Sequence, residues 1–141
     1  MTANLPTFSC PKIFVSLFEH RPGWTSNKYH LVANAGSFEL NALAVSHIPM
    51  SNAKFVIVFH GAAIFSILDN VSYKKKYGVD NPNLKVLSEF KKTGTQLFVC
   101  GQNLLAENID LKTVSPDVTI ASDALIVSMT FQNNGYALMS F

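Results

Sequence analysis

One cysteine of this chain stands where a thiol can do chemistry. In TQLFVCGQNLLAENI, residues 95–109, the apolar run Leu97-Phe98-Val99 reads as a buried strand. Cys100 ends it, Gly101 turns the chain, and Leu104, Leu105 and Ile109 recur at helical spacing. At a strand-to-helix junction the first N–H groups of the helix and its dipole favour a thiolate over a thiol. The thiolate is the form that attacks sulfur. The same residue has a plainer reading, because free cysteine is a small apolar side chain that often only packs.

The position is shared by other reactive types. KFVIVFH, residues 54–60, carries five apolar residues in succession and ends in His60, followed by Gly61. Near the carboxyl end Val118-Thr119-Ile120 is followed by Ala121, Ser122 and Asp123. In a parallel sheet all strand carboxyl ends lie on one edge, which is where open α/β sheets place their ligand crevices. The residues expected there are His20 or its neighbours, His60 with Gly61, Cys100 with Gly101, and Ala121 with Ser122 and Asp123, a set that holds a thiol, an imidazole and a carboxylate. His60 is either a base or a ring that caps a backbone carbonyl. Asp123 and Ser122 also suit a helix N-terminus, as a charge and a cap. Trp24, in a loop, is either a lid or core. Cys10, in the lead-in, reads as incidental, and Lys74-Lys75-Lys76 as a solvated face.

The elements that must position these residues follow from periodicity. Ile13 to Phe18 has the β-branched and aromatic density of a first strand, and His20-Arg21-Pro22-Gly23-Trp24 is a loop. Thr25 or Ser26 caps a helix reaching about Val45. Phe55 to Phe59, without alternation, suits a central parallel strand covered on both faces. Ile64, Phe65 and Leu68 carry a short helix, and residues 70–80 read as a solvated connection. Asn81-Pro82 starts a helix through Leu84, Leu87 and Phe90 that Gly94 stops. Residues 118–120 form a short strand, Leu125, Ile126 and Met129 mark a last helix, and residues 136–141 a last strand. Strand and helix alternate about five times. The expected fold is a single α/β domain over residues 1–141, after an irregular lead-in over 1–11. Its architecture is a three-layer α/β/α sandwich with a mostly parallel sheet of about five strands.

Composition removes whole classes of function. Net charge is +2 and basic residues are scattered, too few for a phosphate-backbone binder, so no nucleic-acid partner is expected. No apolar run approaches the roughly 20 residues of a membrane span. Two cysteines without CxxC or zinc spacing argue against a metal site, a dithiol or a disulfide scaffold. With no secretory leader in MTANLPTFSCPK, they place the protein in the cytoplasm, although a processed, exported form would look the same. No phosphate loop and no GxSxG elbow occurs. The charged fraction is only 14%. A surface so poor in charge suggests self-association.

Three stretches together resemble the DsrE/DsrF-like sulfur-relay family: KFVIVFHGAAI, YGVDNPNLKVLSEFKKTGTQLFVCGQNL and SDALIVSMTFQNNGYALMSF. They span residues 54–141 with a weaker echo over 12–41. The resemblance rests on HG after the second strand, CGQ after the third and the closing GYAL strand. It implies a parallel α/β subunit assembling as a homotrimer or homohexamer. It also implies a persulfide on Cys100, whose outer sulfur passes from a donor protein to an acceptor protein, with Gln102 added to the site. His60 matches a histidine of one family branch; the better-understood relay members follow the cysteine with residues other than Gly101-Gln102. No metal or organic cofactor is needed for such chemistry. The competing reading is a non-catalytic oligomeric protein that binds a small ligand or serves in assembly, with Cys100 as lining.

Overall fold

The structure, a computed structural model, describes residues 12–17 and 53–140. The expected lead-in, the loop at 20–24 with Trp24, and the helix from Thr25 or Ser26 to Val45 lie outside the described residues. So does Cys10.

Among the described residues five strands form one sheet: β1 (Lys12–Leu17), β2 (Lys54–Phe59), β3 (Gln96–Cys100), β4 (Thr119–Ala121) and β5 (Ala137–Ser140). Their order is β4-β3-β2-β1-β5, and every pairing is parallel. The unbroken apolar run of β2 is explained by its place as the middle strand. Val56 and Val58 face one side, and Ile57 and Phe59 the other, and all four are buried. Between β2 and β3 come a 3-10 helix (Gly61–Ile67), α1 (Asn70–Tyr77) and α2 (Asn83–Lys92). Then α3 (Gly101–Ala106) leads towards β4, and α4 (Ala124–Asn133) connects β4 to β5.

Helices cover both faces, as the three-layer reading requires. Ile64 and Ile67, Leu87 and Phe90 of α2, and Leu104 of α3 pack on Ile57, Phe59, Leu97 and Val99. On the opposite face Ala124 and Val127 of α4 pack with Phe14, Val56, Val58 and Cys100. Crossovers between parallel strands are almost always right-handed. Steps from β2 to β3 to β4 run one way across the sheet and leave their helices on one face. The return from β4 to β5 runs the other way and puts α4 on the opposite face. The connections therefore diverge at the carboxyl ends of β3 and β4, where an open α/β sheet opens its crevice.

Two local expectations are corrected. Residues 70–80 are largely exposed, as expected, but they are not merely a connection, because Asn70–Tyr77 is a helix. The Asp69 side chain accepts from the Ser72 N–H at 2.7 Å, and Gly78 closes it at φ +79°. Only Tyr73 of that helix is buried, so it shows no apolar stripe to a reader of the sequence. The short helix expected after His60 is present, as a 3-10 helix that ends at Ile67, one residue before Leu68. In α4 the core-facing residues are Ala124 and Val127, not Leu125, Ile126 and Met129. Those three are exposed, at 69%, 53% and 56%. The helix is apolar on most sides, so periodicity alone does not choose its inner face.

Asn81 holds the junction before α2. Its Nδ2 donates to the carbonyls of Ser66 (2.9 Å) and Leu68 (2.6 Å). Its Oδ1 accepts from the N–H and the Nδ2 of Asn83, both at 2.9 Å. The amide thus uses both donors and both lone pairs. The helix begins one residue later than expected, with Pro82 in the capping position.

Candidate functional site

Four adjacent strands bring one reactive residue each to the same end of the sheet. Register explains how. Phe59 pairs with Val99, so His60 and Cys100, the next residues, stand level on neighbouring strands. Parallel neighbours lie about 4.8 Å apart. His60 keeps an extended backbone (φ −149°, ψ 176°), so alternation continues and its side chain shares the face of Val58. That is also the face of Cys100. Cys100 pairs with Ala121, which places Ser122 and Asp123 just past the end of β4.

Cys100 precedes α3 in the capping position, as its sequence context suggests, and makes no side-chain cap bond. It is a free thiol, 5% exposed, within the apolar group of Phe14, Val56, Val58, Ala124 and Val127. Among the described residues none hydrogen-bonds to its sulfur. The helix that follows is six residues long. It therefore offers local N–H groups rather than a full macrodipole.

His60 is partly buried. Its Nε2 lies 2.7 Å from Oγ of Ser16 on β1, the tautomer deciding which atom donates. Ser16 itself is 9% exposed. Because β1 flanks β2 on the side away from β3, Nε2 is turned away from Cys100. Burial pushes the imidazole below its ordinary value of 6.5, and the negative charge of Asp123 opposes this only in part. Asp123 caps α4, its carboxylate accepting from the Leu125 N–H. It is near enough to His60 to be felt, so the histidine and the carboxylate belong to one locality.

The glycines have separate jobs. Gly61 has φ +54°, a left-handed turn that glycine enters at little cost. Gly101 is there for proximity: a Cβ on it would lie 2.6 Å from the Ala121 carbonyl oxygen. Gln102 and Ser122 are exposed, and neither side chain bonds another described residue.

Two residues of the site escape a reading of the sequence. Ser16 is one, marked there only as a polar residue inside an apolar strand. Asn103 is the other: its Oδ1 accepts the Gly61 N–H at 3.0 Å and ties the turn after β2 to α3. Among the described residues no cluster of three or more His, Cys, Asp or Glu is arranged to hold a metal ion. No helix among them is long and apolar enough to cross a membrane.

No curated protein matches the chain. Solved structures share its fold, among them the following two. One is the protein of unknown function MTH1491 from Methanobacterium thermoautotrophicum, 15% identical, with 93% of this chain and 99% of that one covered and a TM-score of 0.68. The other is the YchN protein of E. coli, 14% identical, with 92% and 99% covered and a TM-score of 0.58. The sequence model of the DsrE/DsrF-like family matches residues 14–141, which takes in all of β1 but its first two residues and every element from β2 onward. By that match the chain belongs to the DsrE/DsrF-like family.

Proposed function

We propose that this protein is a sulfur carrier. Cys100 takes the outer sulfur of a donor protein's persulfide and passes it to an acceptor thiol. The observation that supports the reading is the level placement of Cys100 and His60, on one face, at the carboxyl ends of neighbouring strands. In the loading step the Cys100 thiolate attacks the terminal sulfur of the donor persulfide; a new S–S bond forms as the donor's breaks, and the donor leaves as a thiolate. In unloading, an acceptor thiolate attacks the same outer sulfur and Cys100 departs as thiolate. The sulfur moves with no net oxidation, so the cycle needs no redox cofactor. His60, kept neutral near pH 7 by burial, is the base that takes the acceptor thiol's proton. Gly61, Gly101, Gln102, Ser122 and Asp123 form the surroundings in which donor and acceptor are received.

The carrier works as a homotrimer or homohexamer in this proposal, in the cytoplasm. The exposed Leu125, Ile126 and Met129 of α4 support self-association. Sedimentation of Ile126→Lys against wild type reads this directly.

The test of the chemistry uses Cys10→Ser protein incubated with a persulfide donor and read by intact mass. A sulfur adduct of one atom, absent when Cys100→Ser is added, is the expected result. An equal sulfur load in the Cys100→Ser protein would remove the proposal. The 5% exposure of Cys100 favours a second reading, an oligomeric ligand-binding or assembly protein in which the thiol only lines the crevice. That reading predicts slow alkylation of Cys100 and no sulfur adduct.

A further inference from the structure

We propose that Asn103 is a positioning residue for the His60–Cys100 pair, acting through the backbone of Gly61. This rests on the reading of Cys100 as the sulfur-carrying thiol assisted by His60. The argument is a closed circuit of short links. Strand pairing sets Phe59 beside Val99. Cys100 leads directly into α3, of which Asn103 is the third residue. Asn103 then returns across the gap, its Oδ1 accepting the Gly61 N–H at 3.0 Å. Gly61 adjoins His60. The circuit is therefore complete with only a few rotatable bonds in it, and the spacing of imidazole and thiol is fixed from both ends.

Without Asn103 the circuit opens at its weakest place. Gly61 is the residue that turns with φ +54°, and a glycine in a turn has no side chain to brace it. The Gly61 N–H is also the first donor of the 3-10 helix and lies where no preceding carbonyl of that helix can receive it. Asn103 supplies that acceptor from the element that starts at Cys100. On the far side Ser16 holds the imidazole through Nε2. The backbone is the part that remains to be fixed relative to β3, and Asn103 fixes it. Asn is suited to this: its amide oxygen accepts a neutral hydrogen bond without bringing a charge to a site that already holds Asp123.

The test compares Asn103→Leu, which keeps the size but loses the acceptor, with Asn103→Asp, which restores an acceptor oxygen. All are made in Cys10→Ser protein, with His60→Ala alongside. Persulfide transfer from loaded protein to a small thiol acceptor is followed across pH 5 to 9. We expect Asn103→Leu to slow transfer by about 10- to 100-fold and to lose the inflection contributed by His60. His60→Ala should lose the same inflection, and Asn103→Asp should regain it. If Asn103→Leu keeps the wild-type rate and inflection while His60→Ala loses them, Asn103 has no positioning role. If His60→Ala leaves transfer unchanged, the part assigned to His60 fails, not the clamp. The clamp is then read from the His60 ring signals by NMR. A displaced titration midpoint in Asn103→Leu supports it, and an unmoved midpoint overturns it. The same NMR comparison decides the matter if the wild type carries no sulfur at all.

Discussion

Replacing Gly101 by alanine separates two reasons for keeping a glycine. Its backbone is not in the left-handed region, so alanine meets no conformational penalty there. In a helix alanine would even gain up to about 1 kcal/mol. Against this stands the added Cβ, 2.6 Å from the Ala121 carbonyl oxygen and 3.5 Å from Cγ2 of Ile120. The nearest atom is backbone, so no rotamer relieves the contact. The ends of β3 and β4 must part by roughly half an ångström or more before the contact becomes tolerable. Overpacking of this kind costs about 1–3 kcal/mol. Set against a helix gain of up to about 1 kcal/mol, Gly101→Ala should lose up to about 2 kcal/mol net. For a chain of this size that lowers Tm by up to roughly 7 °C. The assay is urea unfolding with Tm by calorimetry, together with the rate of Cys100 alkylation. The thiol should react faster, because the strand ends that enclose it have spread. Gly78→Ala is the control: it has φ +79° and no atom within 4 Å of the added Cβ. It should lose about 1 kcal/mol to left-handed strain and leave the thiol unchanged. A Gly101→Ala protein more stable than wild type, with Cys100 alkylated at the wild-type rate, would refute the close-approach argument.

Three further outcomes follow from the same geometry. His60 is held below 6.5 by burial, so the unfolded chain takes its proton before the folded one does. Its stabilising contribution is complete above about pH 6.5 and is lost as pH falls towards the lower folded value. The urea midpoint of His60→Gln should therefore fall less between pH 7 and 5 than that of wild type, and parallel curves would contradict the assigned burial. Asn81→Leu removes four side-chain hydrogen bonds and strands the carbonyls of Ser66 and Leu68. It should cost about 2–4 kcal/mol in urea unfolding; a near-neutral result would mean that the junction relaxes around the loss. Lys92→Ala breaks the exposed pair with Glu89, 2.7 Å apart, and should leave the midpoint unmoved.

What the sequence reveals of this protein divides along the range of the forces involved. β2 and β3 are legible because a strand covered on both faces must be apolar throughout. Cys100 and His60 are legible as candidates because each ends such a run. α1 is not, although Asp69 and Gly78 mark its two ends, since a helix with one buried residue carries no stripe. The inner face of α4 is hidden for the opposite reason, with apolar residues on both sides. Ser16 and Asn103 are invisible because their partners depend on strand order. Only when β1 flanks β2 does a serine at 16 reach an imidazole at 60. Only when α3 packs beside the 3-10 helix does an amide at 103 meet the N–H of Gly61.

The pairing of β1 with β5 has a kinetic consequence. Ile13 lies beside Ala137, so this half of the sheet joins segments from near opposite ends of the sequence. Closing so long a loop costs entropy before any contact compensates it, and parallel pairings of this range form slowly. Until β5 docks, β1 exposes a row of unpaired N–H and C=O groups on an apolar strand. That transient edge is a template for strands of other copies. Refolding at high protein concentration should therefore lose material to aggregation in its late phase, after β2 and β3 have paired and while β1 still waits for its outer neighbour.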